Sequence, residues 1–267
     1  MQTTDPHRDS LRRLEPTASS FDQAAGLGGE VVAVGPFRVI FSRSSENIWL
    51  NQAMPYESLG SSEEVVARLQ QLRQLFAERR RSPLLEFNEP LWPELPPLLD
   101  AAGFVEDGRE PLMLCVPADF RPFLNPAVAV RFLSGRDTDA DLAAYRQIFS
   151  QVMELDLWRS TEDVRVEVER LGGRCHALAA LEGTPAGTGF ISSSHAVAEI
   201  TRVATLPEAR RRGVAATLTT FMVQDRLAAG DTLVWLTAQN PEAQALYQKL
   251  GFRLVGDRLY YRANPGS

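Results

Sequence analysis

One stretch of this chain limits its possible folds more than any other. Residues 197–205 read as a strand, and a helical pattern begins at Val214. Between them lies an arginine-rich turn, Arg210, Arg211 and Arg212, closed by Gly213 and followed by Val214, Ala215 and Ala216. A glycine at that point lets the backbone aim several N–H groups at one spot. The helix start adds unpaired N–H donors and the positive end of its dipole. The arginines add formal charge and forked donors. Together these parts suit a pyrophosphate. A solvated, charged helix entry would explain the arginines but not Gly213.

A second signature follows about one strand later. Asn240-Pro241-Glu242 opens a short helical run that carries Tyr247 and ends in Gly251-Phe252. Asn is a good N-cap and Pro suits the first helical position. Tyr247 stands seven residues after Asn240, nearly two turns, so both sit on one face. The R-x-x-G-x-A spacing of Arg210, Gly213 and Ala215, set after V-A-T-L-P, resembles the acyl-CoA loop of the GNAT superfamily of N-acetyltransferases. N-P-E-A-Q-A-L-Y-Q-K-L-G-F is similar to that family's second signature. The resemblance covers residues 128–263.

The resemblance implies acetyl-CoA as cosubstrate, with no metal, and a set of residue roles. The backbone N–H groups of Arg211 to Ala216 would hold the pyrophosphate, with Arg210 or Arg212 adding charge. Backbone groups of Val203 and Thr205 would run along the pantetheine arm, and the Val203 N–H would face the acetyl oxygen. Asn240 would hydrogen-bond the cofactor, and Tyr247 would give a proton to the departing sulfur. A core aromatic is the plainer reading of Tyr247, although Ala243, Leu246 and Leu250 already supply an apolar face. Glu199, eleven residues before Arg210, resembles the strand glutamate that acts as base in histone-acetylating members. A surface strand glutamate is an equal reading. Glu154, Asp156 and Trp158 fall in the segment that lines the acceptor site in the family, where carboxylates beside an aromatic would suit a cationic amine; a solvated loop is the alternative. Other members of the family recruit a base from loops or through water, for which His195, Glu154 and Asp156 are the candidates, although His195 reads more readily as a turn residue; Arg202 receives no role.

Composition narrows the partners. The net charge is −6, which disfavours nucleic acid and anionic membranes. Lysine occurs once, at Lys249, and every other strong base is arginine, so runs such as Arg79-Arg80-Arg81 read as helix-end solvation, helped by the dipole at a helix C-terminus. Cys115 and Cys175 show no metal or redox spacing, and both lie in apolar strand-like runs expected to be buried and reduced. No targeting or membrane-length segment is legible, so a cytoplasmic protein is expected, as monomer or homodimer.

The chain is long enough for about two domains. Residues 1–29 are polar and expected to be ordered in part. A first series runs over residues 30–117: strands within 30–53, a helix at 63–80, a strand at 83–88, a helix at 94–102 and a strand at 111–116. The proline-rich 118–126 reads as a linker. The second series, 127–267, has a strand at 128–133, a helix at 139–153 and a helix at 161–171 capped by Thr161. A hairpin (175–181, 186–193), the strand–loop–helix of the opening stretch, a strand at 232–238, a helix at 241–250 and a last hairpin at 252–262 complete it. Pro93-Glu94 and Gly103-Phe104 recur as Pro241-Glu242 and Gly251-Phe252 at one offset of 148 residues. That repeat predicts two halves of one architecture, and with it the resemblance implies an α+β (mixed α/β) chain of two GNAT-like domains, each a mostly antiparallel sheet flanked by helices. The first half is degenerate: Trp92 stands for Asn240, Leu99 for Tyr247, and no R-x-x-G-x-A turn occurs in residues 30–117.

The expected activity is acetyl transfer from acetyl-CoA to a primary amine of a small molecule or peptide, by direct attack in a ternary complex. The alternative is a CoA-binding regulator of the same fold without turnover. The sequence names neither the acceptor nor the acyl chain length.

Overall fold

A computed structural model describes Leu14, residues 29–43 and residues 45–263. The expectation for residues 1–29 otherwise lies outside the described residues. The chain forms two compact units. The first holds Met1–Leu112 and Val255–Ser267, the second Met113–Leu254.

In the first unit β1 (Glu30–Val34), β2 (Phe37–Phe41) and β3 (Asn51–Pro55) form an antiparallel meander. The next strand, β4 (Leu84–Asn88), runs parallel to β3. Helix α1 (Ser62–Glu78) lies between them in sequence. Ser61 Oγ accepts from the Glu64 N–H while the Glu64 carboxylate accepts from the Ser61 N–H, a capping box that satisfies two orphan donors. Val65, Leu69, Leu72 and Phe76 recur at helical spacing and are buried against Phe37, Val39 and Leu85. After α2 (Leu95–Ala101) comes β5 (Phe104–Cys115), far longer than the strand expected at 111–116.

The second unit begins at the end of β5. It holds β6 (Val128–Phe132), α3 (Asp139–Met153), α4 (Thr161–Arg170), β7 (His176–Leu181), β8 (Thr184–Ser194) and β9 (Val197–Thr205). Helix α5 (Val214–Ala228), β10 (Leu233–Thr237) and α6 (Pro241–Lys249) follow, and β11 (Arg253–Ala263) carries the chain back. Strands β6 to β9 are antiparallel neighbours in order, and β10 lies parallel to β9. Ser160, not Thr161, caps α4, because Asp163 three residues on completes a second capping box.

Two expectations about the C-terminus are corrected. Residues 253–263 form one strand rather than a hairpin. Gly256, at φ 151°, is not a turn residue; a Cβ there would lie 2.2 Å from Pro90 Cγ, so glycine lets the strand pass that ring. From Val255 onward the strand belongs to the first unit, since Arg258, Tyr260 and Arg262 pair with Asn88, Glu86 and Leu84 of β4. The compact units therefore do not follow the expected 30–117, 118–126 and 127–267 segments.

The repeat is visible in the elements. Adding 148 carries Val39 of β2 to Gly187 of β8, Ala53 of β3 to Thr201 of β9, and α2 into α6. Gly103 and Gly251 follow the two equivalent helices with φ of 78° and 96°. The match fails at one informative place. Ser62, the first residue of α1, maps to Arg210, but α5 begins only at Val214. A further turn of capped helix in the first unit stands where the second has its arginine–glycine loop.

Candidate functional site

The loop after β9 starts with a short 3₁₀ turn, Pro207–Ala209, and then departs from ordinary backbone twice. Arg211 has φ 61° and Gly213 has φ 78°, both in the left-handed region. No side chain caps α5, which leaves its first N–H groups without a side-chain acceptor from the cap residue. This is the opposite of α1, whose start is closed by Ser61 and carries the negative Glu64. An anion would meet donors at α5 and a carboxylate at α1.

The three arginines are exposed. Arg212 reaches Glu182 of the β7–β8 turn at 3.0 Å, with 48% and 66% of the two side chains exposed, a solvent-screened pair that exchanges easily. Arg210 Nε donates weakly to the Thr205 carbonyl at 3.4 Å. The segment at 118–126 is fastened to α5: the Phe123 and Asn125 N–H groups donate to Thr220 Oγ1 and Thr217 Oγ1, each at 3.0 Å. Asn125 Nδ2 donates to the Arg212 carbonyl at 2.7 Å and fixes that peptide plane. Gly187 of β8 lets α5 come close, since a Cβ there would lie 2.8 Å from Val214 Cγ1.

Strand β9 changes partners halfway. Its parallel pairing with β10 runs from Val197–Leu233 to Ile200–Leu236 and stops. Against β8, Thr201 faces Phe190 and Ala204 faces Thr188, so Arg202 and Val203 together oppose the single Gly189. That is a β-bulge, and Arg202 takes it with φ 56°. Such a conformation costs a non-glycine residue about 1–2 kcal/mol and needs outside support. Beyond the bulge lies the segment Val203–Thr205. Thr205 Oγ1 is a buried atom with no hydrogen-bond partner.

The bulge sends its two residues into different surroundings. Val203 packs on a cluster that contains Val214, Leu218, Leu236, Ala238 and Tyr247. Arg202 points among α3, α4 and β7. Its Nη1 meets Glu167 Oε1 of α4 at 2.7 Å, and its guanidinium lies 4.5 Å from the Phe190 ring centre and 5.4 Å from Trp158. Glu167 also receives His176 Nε2 at 3.1 Å and the Trp158 indole N–H. Burial works against the Glu167 charge, but Arg202 and the His176 hydrogen bond outweigh it and hold the carboxyl well below the usual range. Burial lowers His176 more than Glu167 raises it, leaving a neutral ring. Tyr145 closes the other side, donating to the Gly189 carbonyl opposite the bulge at 3.3 Å.

Glu199 lies three residues before the bulge, paired with Ser192 on β8 and Trp235 on β10. It is half-buried. Burial pushes its carboxyl up to about 7, while the charge of Arg202 pulls the other way. A carboxyl that changes charge near neutrality is the kind of group general-base work requires.

The structure thus brings Val203, Val214 and Tyr247 onto one cluster, with Tyr247 buried and 5.9 Å from the Phe252 ring. Asn240 caps α6, its Oδ1 accepting from the Ala243 N–H at 2.9 Å. The acceptor candidates separate. Trp158 is buried in the core with its indole N–H on Glu167, whereas Glu154 is exposed at the end of α3. Asp156 is exposed, and its carboxylate accepts from Ser150 Oγ at 2.6 Å. His195 sits in the β8–β9 turn at φ 51°. Sequence reasoning missed Arg202, Glu167 and His176. Cys115 is buried, its thiol pushed up to about 12 by burial, and Cys175 is half-buried. Among the described residues no group of three or more acidic, His or Cys side chains could hold a metal ion. No described helix is long and apolar enough to cross a membrane.

Residues 142–252 match the sequence model of the "Acetyltransferase (GNAT) family". No curated protein matches the chain in sequence. Among solved structures, a GCN5-related N-acetyltransferase from Kribbella flavida is similar at 23% identity and TM-score 0.73, covering 92% of this chain and 93% of its own. A GCN5-related N-acetyltransferase from Sphaerobacter thermophilus aligns at 15% identity and TM-score 0.64, over 87% of this chain and 78% of its own. A tandem GNAT protein of the clavulanic acid biosynthesis pathway aligns at 14% identity and TM-score 0.61, over 86% and 79%. These likenesses establish the fold.

Proposed function

We propose that the chain transfers an acetyl group from acetyl-CoA to a primary amine of a small molecule or peptide, a reading supported by the match of residues 142–252 to the GNAT acetyltransferase family model. One observation carries the reading. An uncapped helix start behind Arg211 and Gly213, both in left-handed backbone, lies next to a strand that leaves its parallel partner after Ile200. A diphosphate and an extended amide arm need that pair of features side by side.

When bound, acetyl-CoA supplies the acyl group as an activated thioester. The chain's own residues do the rest. N–H groups from Arg211 to Ala216 hold the diphosphate, with Arg210 and Arg212 adding charge. Backbone groups of Val203 and Thr205 hold the pantetheine arm. The Val203 N–H points at the acetyl oxygen, where negative charge develops. Glu199, ionised above about pH 7, takes a proton from the incoming amine. The Tyr247 hydroxyl gives a proton to the sulfur, and Asn240 steadies the cofactor beside it. Direct attack within one ternary complex needs no covalent enzyme intermediate. The first unit, with its capping box in place of the loop and Trp92 and Leu99 buried in its core, binds no acetyl-CoA.

The test is release of free CoA thiol when the purified chain meets acetyl-CoA and a panel of primary amines: polyamines, amino acids and peptide α-amines. Amine-dependent release supports the reading. Tight acetyl-CoA binding with no release beyond the enzyme-free rate for every amine would make the chain a CoA-binding regulator.

A further inference from the structure

The site contains a residue whose side chain faces away from the reaction. Arg202 sits in the bulge, and the next peptide carries the Val203 N–H. The orientation of that N–H is set by a left-handed backbone that arginine does not favour. Such a conformation persists only where the surroundings over-determine it.

Those surroundings are unusually complete. The guanidinium is held by the ion pair to Glu167 at 2.7 Å and lies against Phe190 at 4.5 Å and Trp158 at 5.4 Å. Glu167 is itself fixed by His176 at 3.1 Å and by the Trp158 indole N–H. Trp158 is held in turn, because Arg146 Nε donates to its carbonyl at 2.9 Å. On the opposite strand, Tyr145 holds the Gly189 carbonyl that faces the bulge. The clamp draws on α3, α4, β7, β8 and the loop before α4, so several elements converge on one backbone angle. A buried pair of charges is a poor way to gain stability, which leaves fixing a conformation as its better-supported use.

We propose that Arg202 is a positioning residue for acyl transfer: anchored on Glu167, it holds the β9 bulge and thereby aims the Val203 N–H. This rests on the acetyl-CoA reading above. The diphosphate cradle is not part of the clamp, since none of its residues, Arg210 to Ala216, touches Arg202, Glu167 or His176 in the contacts described. Loss of the clamp therefore disturbs the oxygen-facing donor and spares most of the affinity.

Two measurements on the full chain test this. Three variants are compared with the wild type: Arg202→Met, Glu167→Gln, and the double variant. The double variant strands no buried charge, so it keeps the experiment decisive if a single variant fails to fold. The first measurement is hydrogen exchange without ligand. The amides of residues 201–205 should exchange at least about tenfold faster in the variants, with α5 unchanged. The second is the carbon resonance of acetyl-CoA labelled at the carbonyl. Bound to the wild type it should move away from its free position, as a hydrogen-bonded carbonyl does. Bound to the variants it should return most of the way, with affinity within about threefold. Variants that fold and bind yet keep wild-type exchange and the wild-type resonance overturn the positioning role. A wild type that does not bind acetyl-CoA overturns the reading beneath it instead.

Discussion

Replacing Glu199 by Gln should make the protein more stable and less active, and the gain in stability should depend on pH. The carboxyl stands at about 7 in the folded chain against an ordinary 4.5, chiefly through burial. Between those values the folded state keeps a proton that the unfolded chain has released. The stabilising contribution of the protonated group is fully present below about 4.5 and is lost as pH rises through about 7. The interval is about 2.5 pH units at about 1.4 kcal/mol each, so ionising Glu199 in the fold costs at most about 3.5 kcal/mol. Glu199 is half-buried, and water reduces that figure. Glutamine cannot ionise and escapes the cost. In urea unfolding followed from about pH 5 to about pH 9, the variant should gain steadily on the wild type up to about pH 7 and then run parallel. Over the same range wild-type turnover should rise with pH to a plateau, and Glu199→Gln should lack that limb. A constant stability difference across the range would refute the raised carboxyl and remove the physical case for Glu199 as base. A stability gain accompanied by full activity would place the base elsewhere.

Three further outcomes follow from named contacts. Tyr247→Phe should lower turnover by about a hundredfold while leaving acetyl-CoA affinity unchanged in calorimetry; equal loss of both would make Tyr247 a packing residue. Gly213→Ala places a Cβ 3.0 Å from Phe123 Cε1 at φ 78°, and should cost about 1–2 kcal/mol in chemical denaturation and weaken acetyl-CoA binding about tenfold. Unchanged affinity would detach the cradle from that backbone. Ser61→Ala opens the α1 capping box and should cost about 1 kcal/mol by denaturation with no effect on acetyl-CoA binding; weakened binding would mean that the first unit takes part.

The parts of the site readable from sequence are those written in consecutive residues. Arg210 to Ala216 and Asn240 to Phe252 each hold their geometry within a short run of consecutive residues, so spacing alone placed a loop and a capped helix. The 148-residue repeat was legible for the same reason, because a helix ending in glycine is a local event. The return of β11 to the first unit was not legible. A strand's own pattern records which face is apolar, not which distant strand it will pair with, and residues 252–262 read as a hairpin although Gly256 serves the close approach of Pro90 within one strand. Arg202 was missed because its role is made by partners 35 and 44 residues away, Glu167 and Trp158. No short-range rule marks an arginine in a strand as left-handed. Trp158 was read as an acceptor-site aromatic for a related reason. Its neighbours Glu154 and Asp156 are exposed, and only the buried Glu167 shows why the indole turns inward.

Acetyl-CoA binding, counted per chain, bears most directly on the central claim that one unit has a working cradle and the other a closed one. In isothermal titration of the full chain, the account predicts one site per chain, abolished or sharply weakened by a bulky residue at Gly213 and untouched by changes at Ser61. Two sites per chain would contradict the closed first unit, and no binding at all would contradict the cradle of the second.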